Sequence, residues 1–284
     1  MRTKAIIRLT LLSFLLLSAC SNLVVGTQKP EASAAPAAQT AAAEFYIAPT
    51  SIDLTRILPP PPAPDSAGQK ADIAAVLGAQ KARTKAQADQ VQADAKSSIY
   101  RFSDVLGPNF TEEKLPVTTA FFKKVQKNLS AIADISKECF ARPRPFVADS
   151  HVHPPGNITD AIKNDPKREQ AAIALLPADA ADRCTKIETP PDYSFSYPSG
   201  HSTFGTMTAI ILSNMVPEKR AALYKRGWDY GQQRVVAGVH YPSDVEAGRI
   251  QASVVVAELM QNPQFQSDFA AAKTELRGVL GLAN

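Results

Sequence analysis

The chain has little of what builds metal centres, membrane spans or sheets. Four histidines and three cysteines occur in 284 residues, and none falls in an HExxH or CxxC spacing, so neither a zinc site nor any other metal or cofactor is expected. Past the first residues no apolar run approaches the roughly 20 residues that cross a bilayer. No apolar–polar alternation persists beyond a few residues and no segment repeats, which excludes a sheet-based or solenoid fold. Basic residues form no stripe interleaved with aromatics, so nucleic acid is not an expected partner. The formal charge of +4 owes three units to Arg2, Lys4 and Arg8 and falls to +1 when residues 1–19, which hold no acids, are removed.

Those first residues carry an address. The three basic residues precede an apolar stretch, Leu9 to Leu17, which ends in small residues, the pattern of a secretory signal. Leu17-Ser18-Ala19-Cys20 resembles a bacterial lipobox. That resemblance implies cleavage before Cys20 and a lipid on its thiol; an ordinary signal peptide with a chance cysteine is the other reading. Ser21 in place of an aspartate implies, by resemblance to sorted lipoproteins, the outer membrane, with the protein facing the periplasm. Residues 20–44 are rich in Ala, Pro, Gln and Thr and bury too little to offset the entropy of ordering, so a disordered tether is expected. Cys139 and Cys184 remain. An even pair in an oxidising compartment suits a disulfide; two small buried thiols are the alternative.

Residues 45–284 suffice for one domain with its own core. The opening stretch, Tyr46 to Pro64, includes four successive prolines, Pro59 to Pro62, and predicts an extended arm, since proline fixes φ and donates no hydrogen bond. Ile47, Ile52, Leu54, Ile57 and Leu58 are its expected anchors. Helical signals follow. Ser66 to Gln69 has capping-box form, and Ala71 to Ala95 has high helix propensity. Phe121, Val125, Leu129, Ile132 and Cys139 recur at helical spacing within Val117–Cys139. Proline-punctuated residues 140–197 predict loops and short helices. Further helices are expected over His201–Met215, Pro217–Ala237, Ser243–Asn262 and Pro263–Leu282. Ser243-Asp244-Val245-Glu246 is expected to cap the third of these, whose Ala252–Ala257 segment is the expected core. The fold class is all-α, a single compact helical domain behind a proline-rich arm.

The charged residues around Tyr197-Pro198-Ser199-Gly200-His201-Ser202 are spaced as Lys137-x6-Arg144-Pro145, Pro198-Ser199-Gly200-His201 and Arg234-x5-His240-x3-Asp244. This order resembles the phosphatidic-acid-phosphatase type 2 superfamily, whose pocket also serves vanadium haloperoxidases. Gln233 stands where that family usually has serine. The arm and Ser196–His201 further resemble bacterial class A non-specific acid phosphatases, although Phe195 and Ser202 replace the Gly and Thr often found there. The resemblance implies a helical acid phosphatase acting on small phosphomonoesters.

The residues support that chemistry on their own. Lys137, Arg144 and Arg234 offer three cations to the non-bridging oxygens of a phosphate, and a guanidinium matches them with paired hydrogen bonds. Ser199 Oγ and the N–H groups near Gly200, at a helix start, complete an anion cradle. His240 is the candidate nucleophile, with Asp244 accepting its Nδ1–H and leaving Nε2 free. His201 is the candidate general acid and base, and its role requires it protonated while His240 is neutral. His151 and His153 fit an exposed loop better than a metal or a pocket rim. Phe146, Tyr193 and Phe195 suit either an apolar wall for the leaving group or core. Vanadate-dependent halide oxidation, phosphotransfer to alcohols and anion binding without turnover are the rival functions. A homo-oligomer is compatible with the sequence.

Overall fold

The computed structural model describes residues 44–185 and 192–283, so the signal, Cys20 and the tether up to residue 43 lie outside the described residues. Those residues fall in one compact unit. Its eight longer helices are α1 (Ala67–Ala82), α2 (Lys85–Ala93), α3 (Pro116–Phe140), α4 (Pro166–Ile173), α5 (Gly200–Met215), α6 (Arg220–Val236), α7 (Pro242–Leu259) and α8 (Pro263–Val279). Among the described residues the β structure amounts to one isolated bridge, Lys163 to Tyr193. The all-α expectation holds.

Local chemistry sets most of the boundaries. Proline occupies the start of α3, α4, α7 and α8, where its missing N–H would have no intrahelical partner. Gly238, at φ 74°, ends the run after α6 because a left-handed residue stops the helical path without a Cβ penalty. The expected single helix Ala71–Ala95 is two helices. Thr84 Oγ1 accepts from the Gln87 N–H at 3.2 Å and Gln87 Oε1 accepts from the Thr84 N–H at 2.9 Å, a reciprocal cap that starts α2 afresh. Ser66 Oγ does cap α1 through the Gln69 N–H. The Gln69 side chain, however, turns away to accept from Arg142.

The centre of the fold is α5. Eleven of its sixteen residues are buried, against nine of eighteen in α7, so the expected core helix is a neighbour of the centre. Phe204, Met207, Ile211, Leu212 and Met215 of α5 are buried in the main apolar cluster with Val255, Val256 and Leu259 of α7. The predicted inner face of α3, Phe121 to Cys139, is buried throughout. Each such side chain contributes about 1.5–3 kcal/mol by leaving water. Glycine allows the closest approaches. A Cβ on Gly227 would sit 2.5 Å from the Gly205 carbonyl oxygen, and one on Gly248 would sit 2.6 Å from the Ser199 carbonyl oxygen. Backbone of α6 and α7 thereby reaches backbone of α5.

The arm is docked, with one departure from a fully extended chain: Leu54–Ile57 makes a single helical turn capped by Asp53. Ile52, Leu54 and Leu58 are buried, whereas Ile57 is 46% exposed and is no anchor, because that turn directs it away from the domain. Buried Asn128 of α3 accepts from the Tyr46 and Ile47 N–H groups at 2.9 and 3.0 Å and donates to the Ile47 carbonyl at 2.9 Å. Tyr197, in the central turn, donates its hydroxyl to the Pro59 carbonyl. Arm and signature turn are thus directly bonded.

Cys139, near the end of α3, is bonded to Cys184, 45 residues on. Closing a loop of that length removes unfolded-state entropy worth about 4 kcal/mol in the chain-entropy account. Replacing both cysteines by serine should lower the urea-unfolding free energy by about that amount; an unchanged unfolding midpoint would show that the bridge does not constrain the unfolded chain.

Candidate active site

Segments far apart in the chain meet at one cavity of about 500 Å³, lined by Lys137, Arg144, Gly200, His201 and His240 among others. Lys137 arrives on the last turns of α3 and donates Nζ–H to the Phe195 carbonyl at 2.8 Å. Arg144, just before a short helical turn, is locked by four further acceptors. Nε donates to the Ser194 carbonyl at 2.6 Å, one terminal nitrogen to the Val239 carbonyl at 2.9 Å, and the other to Ser194 Oγ at 3.0 Å and the Phe195 carbonyl at 3.3 Å. Gly200 opens α5, and the space where its side chain would be is empty to 4 Å, leaving the helix start approachable.

Ser199 and Arg234 lie behind the lining. Ser199 is fully buried; its hydroxyl accepts from the Ser202 N–H at 3.3 Å, and its own N–H donates to the Asp244 carbonyl at 3.0 Å. Arg234, at the end of α6, is 1% exposed. It donates to the Val91 carbonyl at 3.0 Å, while its buried Nε has no partner among the described residues. Neighbouring Gln233, in the position of the family's serine, also has a buried Oε1 with no partner there.

The tautomers of both histidines follow from their neighbours. His240 Nδ1 lies 3.3 Å from Asp244 Oδ2, and its Nε2 lies 3.2 Å from an Arg144 terminal nitrogen. A carboxylate only accepts and a guanidinium only donates. Nδ1 therefore carries the proton and Nε2 keeps its lone pair. His201 Nε2 lies 2.8 Å from the Ala95 carbonyl oxygen, so there the proton is on Nε2. Its ring stacks on Tyr230 with centroids 6.0 Å apart.

Asp244 is held by more than the sequence disclosed. Its Oδ2 accepts from Ser196 Oγ at 2.5 Å and from the Tyr241 N–H at 2.9 Å. Its Oδ1 accepts from Arg142 at 2.6 Å. The cap of α7 is therefore Tyr241 with Asp244 reaching back, not Ser243 with Glu246; Ser243 instead bonds Asp72 and Arg142. Asp244 still falls in the first turn, facing His240. Arg142 also pairs with Asp72 at 2.8 Å and lies over the Tyr241 ring, 3.8 Å from its centroid. Arg142 and Ser196 are the functional neighbours that motif spacing missed. The one available signal was Arg142-Pro143-Arg144-Pro145, in which two arginines share one pattern and spacing selects only the second.

The other aromatic and histidine candidates lie elsewhere. Phe146 and Tyr193 pack edge to face, centroids 5.0 Å apart, and neither they nor Phe195 line the cavity. His151 is exposed against Asp149, and the His153 N–H bonds Gln80.

The profile of the PAP2 superfamily matches residues 128–268, which include every cavity residue named above. A non-specific acid phosphatase of Salmonella typhimurium is 30% identical over 237 residues, covering 82% of this chain and 83% of its own. One from Providencia stuartii is 30% identical over 79% of this chain and 81% of its own. The chain belongs to the PAP2 superfamily. An acid phosphatase of Zymomonas mobilis is 43% identical over a shorter stretch of 81 residues, 28% of this chain and 31% of its own.

In this PAP2 pocket burial works against every cation. It holds Lys137 down at about 7, with Arg144 adding repulsion. It lowers Arg144 and Arg234 to about 10. Burial, then Arg234, brings His201 to about 3, and burial with Arg144 keeps His240 well below its ordinary value. Burial alone would raise Asp244, but the bonds from His240, the charge of Arg142 and the Ser196 hydroxyl outweigh it and leave it at about 2. His240 is thus held toward its neutral form, the form a nucleophilic imidazole needs. Burial and then Arg234 favour the neutral form of His201 too, whereas a general acid must be protonated, so that role requires a change in its surroundings.

The cations around His240 repel one another in that cavity. An entering anion raises the pKa of each cation it meets, so Lys137, largely neutral just above pH 7, must then gain a proton. Titration calorimetry with inorganic phosphate, in buffers of different ionisation enthalpy slightly above neutral pH, should show net proton uptake that Lys137→Met reduces. Proton release, or equal uptake by the variant, would contradict this electrostatic account.

Proposed function

We propose that this chain is an acid phosphatase of broad range that hydrolyses phosphate monoesters through a phosphohistidine on His240, with no metal taking part. The names of its relatives support the activity. The mechanism rests on one observation above all: His240, its Nδ1–H on Asp244 and its unprotonated Nε2 beside Arg144, lines the cavity together with Lys137, Arg144 and His201.

The dianion draws N–H donors from Lys137, Arg144 and the start of α5, while Arg234 and Ser199, one layer behind the lining, reinforce the cradle by charge and by holding the turn. These groups act on the equatorial oxygens, where charge sits in the transition state. His240 Nε2 bonds to phosphorus as the bond to the leaving oxygen breaks. With the dianion bound, His201 takes up a proton from solvent on Nδ1 and passes it to the leaving alkoxide, while its Nε2–H stays on the Ala95 carbonyl. In the second half His201 takes a proton from water, whose oxygen attacks phosphorus and displaces His240; as phosphate leaves, His201 returns that proton to solvent and both rings are neutral again. Asp244 and Ser196 hold the Nδ1–H while positive charge develops on the imidazole. His201 becomes an acid only once the substrate dianion offsets Arg234, which ties its proton to an occupied pocket.

Labelled phosphomonoester quenched in alkali should leave acid-labile phosphate on His240, absent from His240→Ala. His201→Asn should slow an alkyl phosphate by roughly 10²–10⁴-fold but p-nitrophenyl phosphate far less, since that leaving group needs little protonation. Label on another residue, or equal slowing of both substrates, would sink the assignment.

The N-terminus adds an address to this activity. A lipid on Cys20 and an outer-membrane position facing the periplasm follow from the Leu17–Cys20 resemblance. In a bacterial host, Cys20→Ser should lose fatty-acid labelling and leave the membrane fraction; a labelled variant would rule out Cys20 as the anchor.

A further inference from the structure

The cavity that holds His240 has a second, acidic end. Glu138 and Glu169 both line it, from the adjacent helices α3 and α4, and each is 8% exposed. The other buried acid there, Asp134, is already paired with Arg168, a terminal nitrogen donating at 2.7 Å. Glu169 accepts from Asn164 at 2.7 Å, a neutral donor that leaves its charge uncancelled. One oxygen of Glu138, the buried Oε2, finds no hydrogen-bond partner among the described residues, although Lys137 and Arg168 lie near enough to act on its charge. Burial, then Glu169, pushes the Glu138 carboxyl up to about 7. A buried carboxylate without a donor is costly to leave so.

The same cavity therefore presents, beside its cations, a buried carboxyl oxygen that accepts no hydrogen bond among the described residues and a second carboxylate bonded to a neutral donor. Phosphate answers the cations. What answers the carboxylates must bring positive charge and several donors within the length of a small leaving group. A hydroxyl donates once and cancels no charge. A hard divalent cation takes 6–8 oxygen ligands in the case of calcium, and no group of three or more His, Cys, Asp or Glu suited to a metal occurs among the described residues. An ammonium supplies three donors and one charge.

We infer that Glu138, supported by Glu169, selects phosphomonoesters whose leaving alcohol carries an ammonium group. This is a preference within the phosphatase reading above and rests on it. The ester lies across the cavity, phosphate toward His240 and ammonium toward Glu138, so the charge at each end is cancelled by the substrate.

The test compares O-phosphoethanolamine with 2-hydroxyethyl phosphate, which has nearly the same size and lacks the charge. The full chain should show kcat/KM higher for the ammonium ester by roughly tenfold or more, the effect of one charge-assisted hydrogen bond. In Glu138→Gln that ratio should fall to near one. Glu169→Gln should lower it as well, and carries the test if the first variant does not fold. A ratio near one in the parent, a ratio unchanged in both variants, or a ratio that appears only with added magnesium overturns the inference. p-Nitrophenyl phosphate serves as the control: its hydrolysis with a ratio of one defeats the preference alone, whereas no hydrolysis of any ester defeats the phosphatase reading beneath it.

Discussion

Positive charge kept from water without an equal negative charge is the constraint on which this structure turns. Lys137, Arg144, Arg234, His201 and His240 are drawn together, and burial disfavours the charged form of each. An isolated buried ion is expensive, and a group that can lose its proton does so instead. The pocket resolves the strain by holding both imidazoles neutral and tying Arg144 to backbone carbonyls. An anion in the cavity would offset the repulsion that Arg144 and Arg234 exert on their neighbours there. In the mechanism proposed above, affinity for phosphate and the protonation of His201 both arise from that electrostatic deficit.

The deficit persists only because the surroundings are rigid. Asp244 is the carboxylate bonded to His240, and its charge is divided among His240, Ser196, Tyr241 and Arg142. Arg142 is held in turn by Asp72 and Gln69 of α1. A chain of buried partners therefore runs from the first long helix to His240. Such pairs add little net stability once desolvation is counted; their contribution here is orientation. Gly248 has the same purpose at backbone level, since any side chain there would displace the Ser199 carbonyl and with it the start of α5.

Much of the fold was legible locally. Helical periodicity in Phe121–Cys139 and prolines at helix starts act over a few residues, and those signals survive in the structure. Where they failed, a competing local interaction decided: the Thr84–Gln87 box divided one expected helix, and Tyr241 with Asp244 replaced the Ser243 cap. Ile57 looked like an anchor by composition, but one turn of helix directed it outward. The central place of α5 was not legible, because α7 is as apolar in its middle; glycine contacts with α6 and α7 settled it.

By itself the sequence determined which charges and imidazoles this protein carries and in what order, since spacing is a property of the covalent chain. Only the tertiary structure decided which nitrogen of His240 is free, that His201 starts neutral, and that Arg142 stands behind Asp244. Those depend on partners such as Arg142 and Asp244, 102 residues apart, or His201 and Ala95, 106 apart. Proton positions and charge states are set by the local field and by exclusion of water, and both exist only after distant segments have packed.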